Sequence, residues 1–311
     1  MVRRPLIIDC DPGVDDAIAL LLALASPDEF DLLGITTVAG NVPLHLTQYN
    51  ARRIGQLAQR WEVPIYAGCP RPILRAPVTA EHVHGQTGLD GATLPEPTQP
   101  LLPQHAVDFL IHQCKVAPAP ITLATLGPLT NLAVALVQAP EIAQTIDHVV
   151  TMGGALGRGN VTPSAEFNLY ADPHAARIVV EAGLNLTLIP LDVTHQVITT
   201  PERLAALESL GTPVGQAAAG LLRYYGQREG EGNGVAGAPL HDPCVIAYLL
   251  NPDLFSGRPM HLAIETDSPL CLGRTVANPH PTESTPANAT ILEAVHGDGV
   301  YRLLTERLAR L

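Results

Sequence analysis

Positive charge is what this 311-residue chain has least of: lysine and arginine together number 18 against 30 aspartates and glutamates, and the one lysine is Lys115. A formal net charge of -12 argues against nucleic acid or an anionic membrane surface as partner, because neither polyanion is drawn to an acidic protein. Neutral ligands are therefore expected ahead of phosphate-rich ones. The five cysteines (Cys10, Cys69, Cys114, Cys244, Cys271) contain no Cys-x-x-Cys pair, and an odd, scattered set fits reduced thiols better than a disulfide framework. No apolar run reaches signal-peptide or membrane-spanning length, so a soluble, cytoplasmic protein is expected. Internal repeats, linker-like stretches and low-complexity segments are missing too, which leaves one domain over residues 1–311 as the simplest organisation.

What is there is a 46% hydrophobic composition, enough for a substantial core. Short apolar runs alternate with helical patterns, the signature of βα units and an α/β fold built on a central, mostly parallel sheet flanked by helices. Strands are read at Leu6–Ile8, Leu32–Val38, Ile121–Thr125, His148–Thr151 and Leu186–Pro190. Helices are read over Val14–Ala25 and about Pro43–Trp61, and from near Pro128, Asp172 and Pro201. Polar residues and glycines follow these strands: Asp9-Cys-Asp11, Ala39-Gly-Asn41, Leu126-Gly-Pro-Leu-Thr-Asn131, Met152-Gly-Gly and Asp192-Val-Thr-His195. Ligands of open parallel sheets bind beyond the carboxyl ends of the strands, so these segments are expected to converge there. Residues 68–100 and Gly226–Pro239 read as long functional loops.

The segment Asp9-Cys-Asp11-Pro-Gly-Val-Asp15-Asp16 sets four carboxylates in eight residues. A capped helix with an acidic first turn, Asp11 capping, accounts for one or two of them. Four need a cation, and carboxylates without nearby cysteine or histidine select a hard ion such as calcium or magnesium. Calcium takes six to eight oxygens, so distant ligands are expected. Asp242, in His241-Asp-Pro243, is the best candidate, although its place before an apolar helix also suits a simple N-cap. The carbonyl of Leu126, at a strand end before Gly-Pro, is another.

These motifs, with His84-Gly, Ala165-Glu-Phe-Asn168, Ala171-Asp-Pro and their order along nearly the whole chain, resemble the nucleoside hydrolase family of inosine-uridine-preferring and pyrimidine-specific N-ribohydrolases. The resemblance implies a Rossmann-like fold and calcium held by Asp11, Asp16, Asp242 and the main-chain oxygen of Leu126, with Asp11 also the general base. It puts Asp15, Asn41, Asn160, Glu166 and Asn168 on the ribose, with Met152 and Phe167 packing near the sugar. It implies a homotetramer or homodimer acting on small-molecule ribonucleosides. Acidic surroundings suit the chemistry, since a ribonucleoside is neutral and cleavage passes through an oxocarbenium-like state whose positive charge carboxylates favour.

The departing base also needs help. His241 is the candidate acid, because an unperturbed histidine titrates near pH ~6.5 and can donate at neutral pH. His84 matches the family's histidine near the base. His82 and His195 receive no role. Tyr225 matches the first of two aromatics that inosine-accepting members set one helical turn apart, but Glu229 stands at the second, which turns the expectation toward uridine and cytidine with inosine next. Two other functions fit part of the pattern. Ile7-Ile-Asp9-Cys-Asp11 resembles the nucleophile strand of haloacid-dehalogenase-type phosphohydrolases, but Gly13 and the scarcity of lysine oppose it. A non-catalytic calcium-dependent ribose or nucleoside receptor would share every ligand yet would not require His241 as an acid.

Overall fold

The computed structural model describes residues 3–233 and 237–311, apart from the side chains of 229–233. The apolar run near the N-terminus becomes β1 (Arg4–Cys10), whose alternate side chains part to the two faces of the sheet. Leu6, Ile8 and Cys10 join one core and Ile7 the other. The chain continues through α1 (Val14–Leu24), β2 (Phe30–Thr37), α2 (Leu44–Leu57), β3 (Ile65–Ala67), α3 (Glu81–His84), α4 (Ala106–Val116), β4 (Ile121–Thr125), α5 (Thr130–Gln138) and β5 (Ile146–Met152). Then come α6 (Phe167–Ala171), α7 (Pro173–Glu181), β6 (Leu186–Ile189), α8 (Leu191–Thr194), α9 (Pro201–Glu208), α10 (Pro213–Asn233) and α11 (Pro243–Leu250). The last elements are β7 (Phe255–Ile264), β8 (Thr275–Asn278), β9 (Ala289–Val295) and α12 (Gly297–Leu308).

The sheet runs β3-β2-β1-β4-β5-β6-β9-β7-β8 and is parallel from β3 through β9. The order fixes where a ligand can go. From β1 the chain steps outward through β2 and β3, then returns to place β4 on the other side of β1. Connections on the two sides of β1 therefore diverge, opening a crevice at the carboxyl ends of β1 and β4. Asp9-Cys-Asp11 and Leu126-Gly127 both emerge there, with Asp9 paired to Thr125 across the ladder. Helix α1 enters from the same place and every one of its residues is buried, in the same core as Leu6, Ile8 and Cys10 of β1 and against α2, α10, α11 and α12. Among the described residues no helix is long and apolar enough to cross a membrane.

One feature within the mostly parallel sheet and one departure from the sequence reading have physical causes. Strand β7 pairs antiparallel with both β9 and β8, giving the sheet an antiparallel margin. Its polar, Pro-containing first half, Phe-Ser-Gly-Arg-Pro, is largely exposed, and Pro259 lies in the part of β7 that β8 does not flank, where a missing N–H breaks no ladder bond on the open side. The stretch read as a loop over Gly226–Pro239 is instead helical through Asn233, and residues 234–236 of it lie outside the described residues. Buried Leu221, Leu222 and Tyr225 anchor α10, and that packing outweighs the roughly 1 kcal/mol that each glycine costs in a helix.

The loop over residues 68–100 is tied down by Asp172. Its fully buried carboxylate accepts from the backbone N–H of Ala175 at the start of α7 (3.1 Å), from that of Ile73 (2.9 Å) and from Oγ1 of Thr130 (2.7 Å). Asp172→Ala removes a helix cap and orphans two further donors, so it should lower stability by roughly 2–4 kcal/mol. A urea titration should show this as a lower midpoint at unchanged slope.

Candidate active site

Asp11 follows β1 and is fully buried. Its Oδ2 accepts from the backbone N–H of Asn41 at 2.7 Å, whereas Oδ1 is buried with no hydrogen-bond partner. The carboxylate is hemmed in by backbone on both sides: a Cβ at Gly40 would lie 2.0 Å from Oδ2 and one at Gly127 would lie 2.2 Å from Oδ1. That close approach is the reason for glycine in both Ala39-Gly-Asn41 and Leu126-Gly-Pro128. Asp11 is not the helix cap. The cap position is Gly13, and Asp16 reaches back from the first turn to accept from the backbone N–H groups of Asp11 (3.1 Å) and Gly13 (3.0 Å) and from Nδ2 of Asn41 (3.1 Å).

Asp242 stands at the N-cap of α11 but makes no capping bond. Its side chain turns instead to Asp16, and carboxylate oxygens of Asp15, Asp16 and Asp242 lie within 4.8 Å of one another. Burial pushes Asp11, Asp16 and Asp242 above the usual carboxylate range, and neighbouring negative charges push Asp11 and Asp242 further. Such a cluster either holds protons or holds a cation. The donors are all oxygen, and Leu126 contributes a carbonyl that accepts from Nδ2 of Asn168 at 2.7 Å with a second lone pair to offer. An all-oxygen set around the unpartnered Oδ1 of Asp11 fits a hard divalent ion.

Above this floor is a concave cavity, lined by aromatic side chains and a few convergent polar groups as small-molecule sites are. Asp15, Asn41, Leu126 and Asp242 form its base, while Asp11 and Asp16 lie behind it. One wall comes from Met152 and from Asn160, Glu166, Phe167 and Asn168. Burial raises Glu166 to about 7, while its carboxylate accepts from the backbone N–H of Gly154, Asn168 and Leu169. It thereby locks the turn into α6. Oδ1 of Asn160 accepts from the N–H of Phe167 at 2.9 Å.

The opposite wall is aromatic. His84, whose Nδ1 accepts from the N–H of Val14 at 3.1 Å, stacks on Tyr225 with ring centroids 5.6 Å apart. Tyr225 in turn meets His241 edge-on at 6.4 Å. Three separate segments make this wall, and two of them are fastened to each other, since Nη1 of Arg228 in α10 donates to the carbonyl of His82 at 3.2 Å; within α10 the same guanidinium lies 4.9 Å over the Tyr224 ring. The side chain of Glu229 lies outside the described residues.

Every residue expected at the metal, the ribose or the base is thus in the cavity wall or directly behind it. One electrostatic expectation changes: burial lowers both His241 and His84 to about 3, so at neutral pH both rings are uncharged, and His241 offers a neutral N–H rather than the imidazolium proton expected of an acid. Sequence reasoning missed His82, which lines the cavity mouth, and Thr194, whose Oγ1 lies 2.7 Å from Nδ1 of His241. The strand-end motif Asp192-Val-Thr194-His195 was the available signal for Thr194. His195 is exposed, its ring 5.7 Å from that of His241.

Comparison with known proteins joins this geometry to an activity. An uncharacterized protein of Schizosaccharomyces pombe is 48% identical over 308 residues, spanning 98% of this chain and 99% of its own. The pyrimidine-specific ribonucleoside hydrolase RihA of Photobacterium profundum is 45% identical over 309 residues, 99% of each chain. Among solved structures, a purine-preferring ribonucleoside hydrolase from Gardnerella vaginalis superposes with a TM-score of 0.92 at 30% identity, over 98% of each chain. The family model for inosine-uridine preferring nucleoside hydrolases matches residues 6–302. The chain belongs to that family: it is a ribonucleoside hydrolase, an N-glycosidase of a metal-dependent group.

Proposed function

We propose that this enzyme is a calcium-dependent hydrolase of pyrimidine ribonucleosides, acting on uridine and cytidine ahead of inosine. The observation that carries the reading is the buried carboxylate floor, with Oδ1 of Asp11 unpartnered beneath a cavity whose two walls match the two halves of a nucleoside. Asp11, Asp16, Asp242 and the carbonyl of Leu126 would hold the ion. When bound, calcium supplies an oriented water of lowered pKa and offsets the charge of the cluster.

Asp11 takes the proton from the attacking water, and water oxygen joins the anomeric carbon as the bond to the base nitrogen breaks. Asp15, Asn41, Asn160, Glu166 and Asn168 hold the ribose hydroxyls, with Met152 against the sugar. The surrounding carboxylates favour the positive charge that develops on the ring. Phe167, Tyr225 and His84 enclose the base, and the neutral ring of His241 donates a hydrogen bond that stabilises it as it departs. The pyrimidine preference is supported by the RihA relative.

Ribose release from uridine, cytidine, inosine and adenosine should rank the two pyrimidines first and vanish on chelation. Release that persists after chelation would remove calcium, and inosine as the fastest substrate would remove the pyrimidine preference. Asp11→Asn should cost at least about 10²–10⁴ in kcat. The same variant should lose the calcium-induced rise in Tm. Near-normal turnover by Asp11→Asn would exclude it as the base. His241→Ala should lose about 10²-fold or more on nucleosides yet keep most of its activity on p-nitrophenyl riboside, whose leaving group needs no help.

A further inference from the structure

His241 can serve a departing base only through a ring nitrogen that bears hydrogen and faces the cavity. In a singly protonated imidazole, the hydrogen bond made by one nitrogen decides which of the two that is. Here Nδ1 lies 2.7 Å from Oγ1 of Thr194. A hydroxyl has one proton to give, and the other acceptor in reach, the carbonyl of Leu191 one turn back in α8, is 3.5 Å away, at the outer limit of a hydrogen bond. Of the two, Nδ1 is the closer acceptor. With Nδ1 accepting, the ring hydrogen belongs on Nε2, at the opposite edge of the ring. His241 lines the cavity and Thr194 does not, so the edge away from Thr194 is the one left for a ligand.

Thr194 is well placed for this duty. It closes the single turn of α8 beyond β6 and is fully buried, and its branched side chain has few χ1 alternatives. We propose that Thr194 is a positioning residue of the hydrolysis, its hydroxyl donating to Nδ1 of His241 and so presenting Nε2–H to the leaving base. This rests on the reading of His241 as the group that serves that base. β6 thereby contributes to the chemistry by fixing a tautomer rather than by touching substrate.

The test compares Thr194→Val, Thr194→Ser and His241→Ala in the calcium-loaded enzyme, on the best of the four nucleosides and on p-nitrophenyl riboside. Thr194→Val should lower kcat on the nucleoside at least about tenfold with KM little changed, hold the activated riboside within about twofold, and be rescued by serine. Equal losses on both substrates, an unaffected nucleoside kcat, or serine no better than valine would each overturn the proposal. If valine prevents folding, Thr194→Ala carries the same comparison. A His241→Ala variant that loses equally on both substrates would sink the reading of His241 and this proposal with it. Leaving-group-selective loss in His241→Ala beside an unaffected Thr194→Val would sink the proposal alone.

Discussion

Three buried aspartates, Asp11, Asp16 and Asp242, meet at the point where the connections of the sheet diverge, and the local structure is arranged around their mutual repulsion. Buried like charges are intolerable without compensation. Part of it is dipolar: the N–H groups of Asp11, Gly13 and Asn41 and the amide of Asn41 all donate into the cluster, and α1 directs its positive end at it. The rest falls to a cation. Gly40 and Gly127 are set by the same demand, since the backbone must pass closer to Asp11 than any side chain allows.

The acidic floor was legible because it is local in sequence and because its chemistry has few explanations. Four carboxylates in eight residues cannot all be caps, and the strand-helix frame around them follows from apolar periodicity. Asp242 was ambiguous from sequence. An aspartate before Pro243 and an apolar helix suits an N-cap, and only the three-dimensional finding that it makes no capping bond separates the two uses. The antiparallel margin was invisible because β7 opens with exposed, Pro-containing residues that carry no apolar alternation. The length of α10 was misjudged for the opposite reason, because its glycines speak against helix while the residues that hold it in place, such as Tyr225, act through contacts distant in sequence.

The histidines carry the other lesson. The unperturbed pKa of histidine suggested a ring able to titrate near neutral pH, but His241 is buried, and desolvation of the imidazolium dominates. What the ring can do is then decided by which nitrogen bears its hydrogen. That choice is made by a hydroxyl 47 residues away along the chain, a relation that no spacing rule encodes.

The division of labour between the cavity's walls has an evolutionary reading. The acidic floor hangs from the sheet and cannot shift without disturbing the core, whereas much of the aromatic wall comes from residues 80–84 and the second half of α10, which lie outside the sheet, pack on α1 and meet each other through Arg228, His82, Tyr225 and His84. Such a wall can change by substitution of its side chains. A lineage can exchange one heterocycle for another there, with the carboxylate floor that breaks the bond left intact. On that view, a purine-preferring enzyme with nearly the same frame and a pyrimidine-specific relative are neighbours separated by a replaceable panel.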